Sequence, residues 1–188
     1  MIKFEEYQEK LNESACIEIK NRDEFNKYRD IIMSKTNEGF RLLTNKEYKE
    51  YIEKHLTGVE VWGEQYINEP ADIAKCRKLV ESLIQDQYTK NLRRLQLILS
   101  EGATNIIKHA YNGKLTIIKS TDCIRLVFCD RGPGISCSKL FYYIFHGSSI
   151  PENSLGVGFG IMYLLSEKIY LYVTDYGTTL IIEFLEES

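Results

Sequence analysis

The chain has few of the residues that metal sites and disulfide frameworks need. Its 188 residues include three histidines and five cysteines, and no two cysteines lie at C-x-x-C spacing. An odd cysteine count without paired spacing argues against a disulfide framework, so we expect buried free thiols in a reducing compartment. Because no histidine lies at ligand spacing beside a cysteine pair, we expect no zinc site.

Long apolar runs and an excess of basic residues are also missing. The first residues contain no apolar segment of the signal-peptide type, and no stretch approaches the length of a membrane span. The formal net charge of −3 argues against general nucleic-acid binding, since affinity for a phosphate backbone requires a basic surface. We therefore expect a cytoplasmic protein without membrane or nucleic-acid partners. Apolar residues make up 44% of the chain, which is enough for a packed core.

A change of pattern near residue 57 predicts two units. Residues 1–57 are charged and rich in tyrosine. Their periodicity predicts a strand over 15–20, a helix capped by Asp23 that runs to about residue 35, and a second helix over about 45–55. This segment contains no chemical motif, so it is treated as an N-terminal extension whose role is open.

From residue 58 the predicted order of elements is β-α-α-β-β-α-β-β. The strands are expected at 59–62 with 66–67, 115–119, 123–129, 169–174 and 179–184, and the helices at 70–87, 89–111 and 161–167. Asn112-Gly113 is a strong turn signal, and residues 136–155 are expected to be rich in loops. Since consecutive strands form hairpins, the pattern predicts an α+β fold: a mixed, mainly antiparallel sheet with helices on one face.

The predicted helix over 89–111 has two different faces. One face carries an apolar stripe that consists of Leu92, Leu95, Leu99, Ala103, Ile106 and Ala110. Glu101 and Asn105 are four residues apart and share another face, roughly 140° from the stripe. A solvated outer face is the plain interpretation of this pair. In the functional interpretation, Asn105 offers an oxygen to Mg²⁺, and Glu101 accepts the proton of a hydroxyl that attacks a phosphate.

Two glycine-rich segments follow the helix. Asp130 comes directly after an apolar strand and before Gly132 and Gly134, an arrangement that suits recognition of a purine amine by a carboxylate. Residues 156–160, Gly-Val-Gly-Phe-Gly, precede a predicted helix, where free N–H groups attract phosphate. A tight loop and a flexible hinge are the alternative interpretations. The spacing of residues 156–160 matches neither a dinucleotide fingerprint nor a Walker A loop.

Taken in order, these segments resemble the motifs of the GHKL superfamily of ATPases. The similar segments are 100–111 for the N-box, 130–135 for the first glycine box, 156–160 for the second, and 177–178 for the terminal Gly-Thr element. The resemblance covers about residues 58–188. Within the superfamily, the ending His109-Ala110-Tyr111 is most similar to bacterial anti-sigma-factor serine kinases and stress-pathway switch kinases.

The resemblance implies a two-layer α/β sandwich of the Bergerat type over 58–188, with ATP and Mg²⁺ as ligands. It implies a magnesium ligand Asn105, a general base Glu101, an adenine-reading Asp130, pocket residues Gly132, Gly134 and Ile135, a phosphate cradle of Gly156, Gly158 and Gly160, and Thr178 near the adenine. Residues 136–155 would form a lid over the nucleotide. Lys139 and His146 are interpreted as exposed residues of that lid.

The implied function is a protein serine kinase that phosphorylates a STAS-type anti-sigma-factor antagonist. A sigma factor is a further implied partner, and a homodimer is an assembly that the family suggests. Two alternatives stay open: a nucleotide-dependent module that sequesters a regulator without phosphoryl transfer, and an orphan histidine-kinase catalytic domain. Residues 136–155 contain no arginine to stabilise a transferring phosphate, which argues against fast transfer.

Overall fold

The computed structural model describes residues 21–83, 89–120, 123–145 and 155–185, so the strand predicted over 15–20 lies outside the described residues. The helices are α1 (Arg22–Lys35), α2 (Asn45–His55), α3 (Ala71–Leu83), α4 (Thr89–His109), α5 (Cys137–Phe145) and α6 (Leu155–Leu165). The strands are β1 (Phe40–Leu42), β2 (Val61–Ile67), β3 (Asn112–Lys119), β4 (Cys123–Arg131), β5 (Lys168–Val173) and β6 (Thr178–Leu185).

The described strands form one sheet in the order β1-β5-β6-β4-β3-β2. β1 runs parallel to β5, and every other pair of neighbours is antiparallel. The predicted α+β class with a mixed, mainly antiparallel sheet is therefore confirmed. β1 comes from the segment 1–57, so the described part of that segment shares its sheet with the rest of the chain. The domain boundary near residue 57 itself stays a prediction.

Helices cover both faces of the sheet. On one face, α1, α3, α4, α5 and α6 bury residues such as Phe25, Leu99 and Met162. On the other face, α2 lays Tyr48 and Tyr51 over β5 and β6. The expectation of helices on a single face thus holds for those after residue 70, whereas the α2 helix of the N-terminal segment lies opposite to them.

The long helix α4 is placed by its apolar stripe, as predicted. Leu95, Leu99 and Ala103 are at most 1% exposed, and they face the sheet. On a different face, the guanidinium of Arg94 donates to the backbone oxygen of Leu165, which joins α4 to the end of α6. The polar face of α4 is therefore covered by another helix in part, and is not a solvated outer surface along its whole length.

The two N-terminal helices begin at well-formed caps. The side chain of Asn21 accepts a hydrogen bond from the Glu24 N–H at 3.2 Å, so Asn21 caps α1 and Asp23 lies inside its first turn. This corrects the predicted cap by two residues. Thr44 and Glu47 form a capping box at the start of α2, a signal that sequence reasoning passed over.

One predicted turn and one divided strand prove to be parts of continuous strands. Asn112 and Gly113 are the first residues of β3, paired with Arg131 and Asp130 of β4, and they do not form a hairpin turn. A Cβ at Gly113 would lie 2.8 Å from the Cys129 carbonyl oxygen, so the glycine permits close packing inside the sheet. Residues 59–62 and 66–67 were expected as separate pieces, but Val61–Ile67 is one strand with an irregularity between Val61 and Gly63.

The region after β4 differs most from the expectation. Residues 137–145 form helix α5 where a loop was predicted, because Leu140 and Cys137 are buried against the core. Helix α6 begins at Leu155, about six residues before the predicted start at 161. Burial of Phe159 and Met162, three apart on one helix face, offsets the poor helix propensity of Gly156, Gly158 and Gly160.

None of the described helices combines the length and the apolarity that crossing a membrane requires.

Candidate functional site

A cavity of about 430 Å³ lies between the sheet and helices α4, α5 and α6. This volume is within the range of pockets that hold small ligands and cofactors. The residues that line it are Gly102, Asn105, Ile106, His109, Phe128, Asp130, Pro133, Gly134, Ile135, Ser136, Lys139, Tyr143, Phe159, Leu171, Thr178 and Leu180. Five of the residues predicted for the site meet here: Asn105, Asp130, Gly134, Ile135 and Thr178.

Asp130 lies at the end of β4, where β6 begins beside it. The Thr178 N–H donates to a carboxylate oxygen of Asp130 at 3.2 Å. Burial raises the pKa of Asp130 to about 7, and this hydrogen bond acts in the opposite direction. Gly177 makes the arrangement sterically feasible, since a Cβ there would lie 1.9 Å from the Asp130 carbonyl oxygen. A carboxyl group with this pKa can accept a hydrogen bond from an amine as an anion above neutral pH.

Helix α4 contributes Asn105 and His109 to the cavity wall. The Asn105 amide nitrogen is buried and has no hydrogen-bond partner among the described residues. Burial, and secondly the charge of Lys108, lower the pKa of His109. Sequence reasoning missed His109, although it continues the four-residue spacing of Glu101 and Asn105 along one face of the helix.

Glu101 lies one turn before Asn105 and contacts the start of α6. A Cβ placed on Gly158 would lie 2.8 Å from a carboxylate oxygen of Glu101 and 3.7 Å from the Asn105 side-chain oxygen. The absence of a side chain at Gly158 therefore lets the first turn of α6 approach this pair. Glu101 itself is not among the residues that line the cavity.

The second glycine segment lies inside α6 rather than in a loop before it. Gly156 and Gly158 belong to the first turn of α6, whose N–H groups have no intrahelical acceptor. Gly160 lies in the same helix, and a Cβ there would meet nothing within 4 Å. The glycines are helical in this conformation, so the helix start that could attract an anion lies at Leu155 and not at the predicted residue 161.

The first glycine segment forms the turn that follows Asp130 in the chain. Gly134 has a φ of 68°, and a Cβ there would lie 2.3 Å from the Thr174 carbonyl oxygen. The turn therefore requires glycine at this position. Gly132 packs against Ala110, the residue that follows α4, and is not among the residues that line the cavity.

Helix α5 supplies a wall that the sequence did not predict. Lys139 and Tyr143 line the cavity, four residues apart on one face of α5. Lys139 is exposed, as expected, but it lies on a helix and not in a loop. His146 lies outside the described residues. The four-residue spacing was a signal that could have found this face once residues 137–145 were recognised as helical.

A metal ion in this cavity would need oxygen, nitrogen or sulfur donors from the protein. In the ranges that the structure describes, no three His, Cys, Asp or Glu residues are grouped to hold a metal ion. A magnesium ion that keeps several waters and binds substrate phosphates needs only one or two protein oxygens. The Asn105 amide, buried in the cavity wall and lacking a partner for its nitrogen, fits such a role, because rotation of the amide exchanges its oxygen and nitrogen.

No protein-family model and no curated protein sequence matches the chain. Two nucleotide-free forms of the catalytic domain of histidine kinase ThkA are similar in structure. One is 18% identical over 65% of this chain and 97% of that domain with a TM-score of 0.42, and the other is 17% identical over 65% and 95% with a TM-score of 0.43. At such values the likeness assigns neither a family nor an activity to this chain.

Proposed function

We propose that this chain is an ATP-binding protein kinase of the GHKL type that transfers phosphate to a serine of a STAS-type partner. One observation carries the nucleotide part: the carboxyl of Asp130 and the amide of Asn105, whose nitrogen has no partner among the described residues, line the same cavity of about 430 Å³. Both residues stand in motifs that resemble those of the superfamily. Asp130 offers a group that would bind the adenine, and Asn105 offers a group that would bind the cation.

The adenine would lie against β4 and β6. The Asp130 carboxylate, which accepts a hydrogen bond from the Thr178 N–H, would accept another from the exocyclic amine. Apolar side chains of the cavity, Phe128, Leu171 and Leu180, would contact the faces of the base. Gly134 and Ile135, which also line the cavity, would contact the adenine as well.

The phosphates would lie toward α4 and α6. The first-turn N–H groups of α6, around Gly156 and Gly158, would donate to phosphate oxygens. Asn105 would hold Mg²⁺ together with water and phosphate oxygens, and the ion when bound supplies charge neutralisation at the transferring phosphate. Lys139, an exposed lysine, lies in the part of the cavity wall that α5 forms.

In the transfer step, Glu101 would accept the proton of the partner's serine hydroxyl. The serine oxygen bonds to the γ-phosphorus, the bond to the bridging oxygen breaks, and ADP leaves with that electron pair. Glu101 of α4 lies near Gly158, in the first turn of α6. A γ-phosphate held by α6 would therefore lie close to Glu101 and Asn105. The partner's serine would therefore approach along the face of α4 that carries Glu101.

The test combines binding with transfer. The protein is titrated with ATP in the presence and absence of Mg²⁺ by calorimetry, and then incubated with Mg-ATP and candidate STAS-type proteins. We expect Mg-dependent saturable binding and a phosphoserine in the partner by mass spectrometry, lost in Glu101→Gln while ATP affinity is kept. Transfer at the original rate in Glu101→Gln contradicts the assigned base, and absence of ATP binding contradicts the whole proposal.

A second candidate is a nucleotide-dependent module that binds a sigma factor or another regulator without phosphoryl transfer. Two observations favour it: the first turn of α6 lies against the Glu101 carboxylate in this conformation, and Lys139 is the single lysine or arginine among the described residues that line the cavity. Efficient transfer usually needs several cations around the phosphate. This candidate expects ATP-dependent partner binding with no phosphorylated product. An acid-labile phosphohistidine in the partner would instead favour a histidine-kinase domain.

A further inference from the structure

The α1–β1 segment, residues 22–42, contacts two helices that wall the cavity. Sequence reasoning left the N-terminal segment without a role. In the structure, α1 packs along α5, and Phe40 of β1 contacts α6. Both α5 and α6 provide residues to the cavity, Lys139 and Tyr143 from the first and Phe159 from the second.

Helix α5 presents opposite faces to the cavity and to α1. Lys139 and Tyr143 lie on the face that lines the cavity. Phe141 and Phe145 lie about half a turn away around the same helix. The Tyr28 ring of α1 contacts the Phe141 ring at a centroid distance of 5.4 Å, and Phe141 contacts Phe145 at 5.0 Å. The cavity wall is thus supported from behind by aromatic packing on α1.

Lys35, at the end of α1, strengthens the same contact. Its ammonium lies 5.7 Å from the centre of the Phe141 ring and 5.2 Å from that of Phe145. These distances are within the range of cation–π attraction. Tyr28 and Lys35, about two helical turns apart on α1, therefore contact the same face of α5.

Helix α6 is held by the residues that follow α1. The Tyr163 hydroxyl donates to the Thr36 backbone oxygen at 3.2 Å, and the Phe159 ring lies 6.2 Å from that of Phe40. Thr36 is fixed in turn, since its hydroxyl donates to the Ile32 carbonyl oxygen at 2.8 Å and accepts from the Phe40 N–H at 3.2 Å. The turn between α1 and β1 is therefore a rigid support for α6.

The α1–β1 segment is itself anchored in the core. Phe25, Ile32 and Phe40 have no exposed side-chain surface, and Arg29 forms an ion pair with Glu47 of α2. A displacement of α1 would have to move α5 and disturb the core together. Packed side chains of this kind transmit displacements between elements.

We propose that residues 22–42 act as a brace that sets the spacing of α5 and α6, with Tyr28, Lys35 and Thr36 as positioning residues for the cavity. This inference rests on the proposed nucleotide site. It gives the N-terminal segment a role: whatever binds or moves α1 changes the affinity of the cavity for nucleotide through α5. Tyr28, Lys35 and Thr36 touch no cavity surface themselves, since none of them lines it.

The experiment measures local opening and affinity in the full chain with Tyr28→Ala. We expect faster hydrogen exchange of the α5 amides relative to those of β4 without nucleotide, and ATP affinity reduced by about 2- to 30-fold, the range of couplings carried by packed side chains. Tyr28→Phe retains the ring and should behave as the unmodified protein. Unchanged α5 exchange in Tyr28→Ala overturns the brace, as does faster exchange with unchanged affinity.

A matched control separates the brace from general destabilisation. Tyr48 stacks on Tyr172 at 4.0 Å on the opposite face of the sheet, away from α5. Tyr48→Ala should lower the free energy of unfolding without changing ATP affinity or the exchange of α5 relative to β4. An equal loss of affinity in Tyr48→Ala overturns the brace. If the unmodified protein binds no ATP, the proposed function fails, and α5 exchange in Tyr28→Ala alone decides whether the brace exists.

Discussion

Two clusters of buried polar groups, one on each face of the sheet, differ in how far their hydrogen bonds are satisfied. On the α2 face, the Glu183 carboxylate accepts hydrogen bonds from the Tyr51 hydroxyl at 2.6 Å and from Arg125 at 2.9 Å. Arg125 also donates to the Ser120 hydroxyl at 3.0 Å, and Tyr170 donates to Glu183 at 3.4 Å. On the cavity face, the Asn105 amide nitrogen is buried without a partner among the described residues, and Asp130 borders open volume.

This difference distinguishes a structural polar cluster from a candidate binding site. The hydrogen bonds around Glu183 are satisfied by Tyr51, Arg125 and Tyr170, so this cluster holds α2 on the sheet. Desolvation, followed by the hydrogen bond to Glu183, raises the pKa of Tyr51, and burial with the Glu183 charge raises that of Tyr170 to about 12. A buried group with no partner is costly to retain, which is the reason to look for an external partner on the cavity face.

The largest expected effect tests the α2 face. Glu183→Ala leaves the Arg125 guanidinium, which is 7% exposed as a residue, without its carboxylate. We expect the free energy of unfolding to fall by about 3 to 5 kcal/mol, as when one partner of a buried pair is removed. Denaturant titration measures this, and ATP affinity of the folded fraction should not change. Glu50→Ala, in an exposed pair with Lys46, is the control and should have little effect.

The next effect tests the cavity face through Asn105. Asn105→Ala should reduce Mg-dependent ATP affinity by more than about 100-fold, since loss of an outer-shell partner alone costs metal sites 10- to 100-fold. The free energy of unfolding should change little, because the lost amide nitrogen has no hydrogen-bond partner in the part of the chain that the structure describes. Calorimetry with and without Mg²⁺ measures the effect. Asn105→Asp retains an oxygen ligand and should recover Mg dependence, whereas unchanged affinity in Asn105→Ala refutes the magnesium assignment.

A smaller effect is expected from pH. Burial raises the pKa of Asp130 to about 7, so the carboxylate that accepts the adenine amine forms as pH rises through 7. Adenosine, which has no phosphate to titrate, should bind up to about tenfold more tightly at pH 8 than at pH 6. Asp130→Asn should remove this dependence. A pH profile that persists in Asp130→Asn would assign it to another group, such as His109 of the same cavity.

The same raised pKa has a consequence for stability. Between the unfolded value of about 4 and the folded value of about 7, the folded protein binds more protons at Asp130 than the unfolded chain does. The contribution of Asp130 to stability is therefore largest below pH 4 and is lost as pH rises through 7. Asp130→Asn should flatten this part of the stability profile, measured by denaturant titration across pH 4 to 8.

The smallest expected effect concerns the glycines of α6. Gly160→Ala adds a side chain into open space on a helix, so the free energy of unfolding should rise by about 0.5 to 1 kcal/mol. Gly158→Ala places its Cβ 2.8 Å from a Glu101 oxygen, and the flexible Glu101 side chain must move. We therefore expect slower phosphoryl transfer in Gly158→Ala but not in Gly160→Ala. Loss of ATP affinity in Gly160→Ala would mean that α6 unwinds around the nucleotide.

The local pattern of the sequence was enough to predict most elements. The apolar periodicity of α4 predicted its extent to within two residues and also its buried stripe, and α2 was predicted with the bounds that the structure has. Alternation along the strands places Asp130 on the cavity face and Arg125 on the other, as the period of two requires. These features depend on neighbours in sequence, which is why the chain alone determines them.

Only the tertiary structure decided which of these residues meet. Helix α5, the helical state of residues 155–160 and the brace of residues 22–42 depend on contacts between elements distant in sequence, such as Tyr28 with Phe141. Glycine propensity alone predicted a loop before α6, and burial of Phe159 and Met162 overrode it. The sequence by itself determined the residue types and the helix face of the candidate site. The packing of α1, α5 and α6 determined its walls, because burial free energy depends on partners that no local pattern specifies.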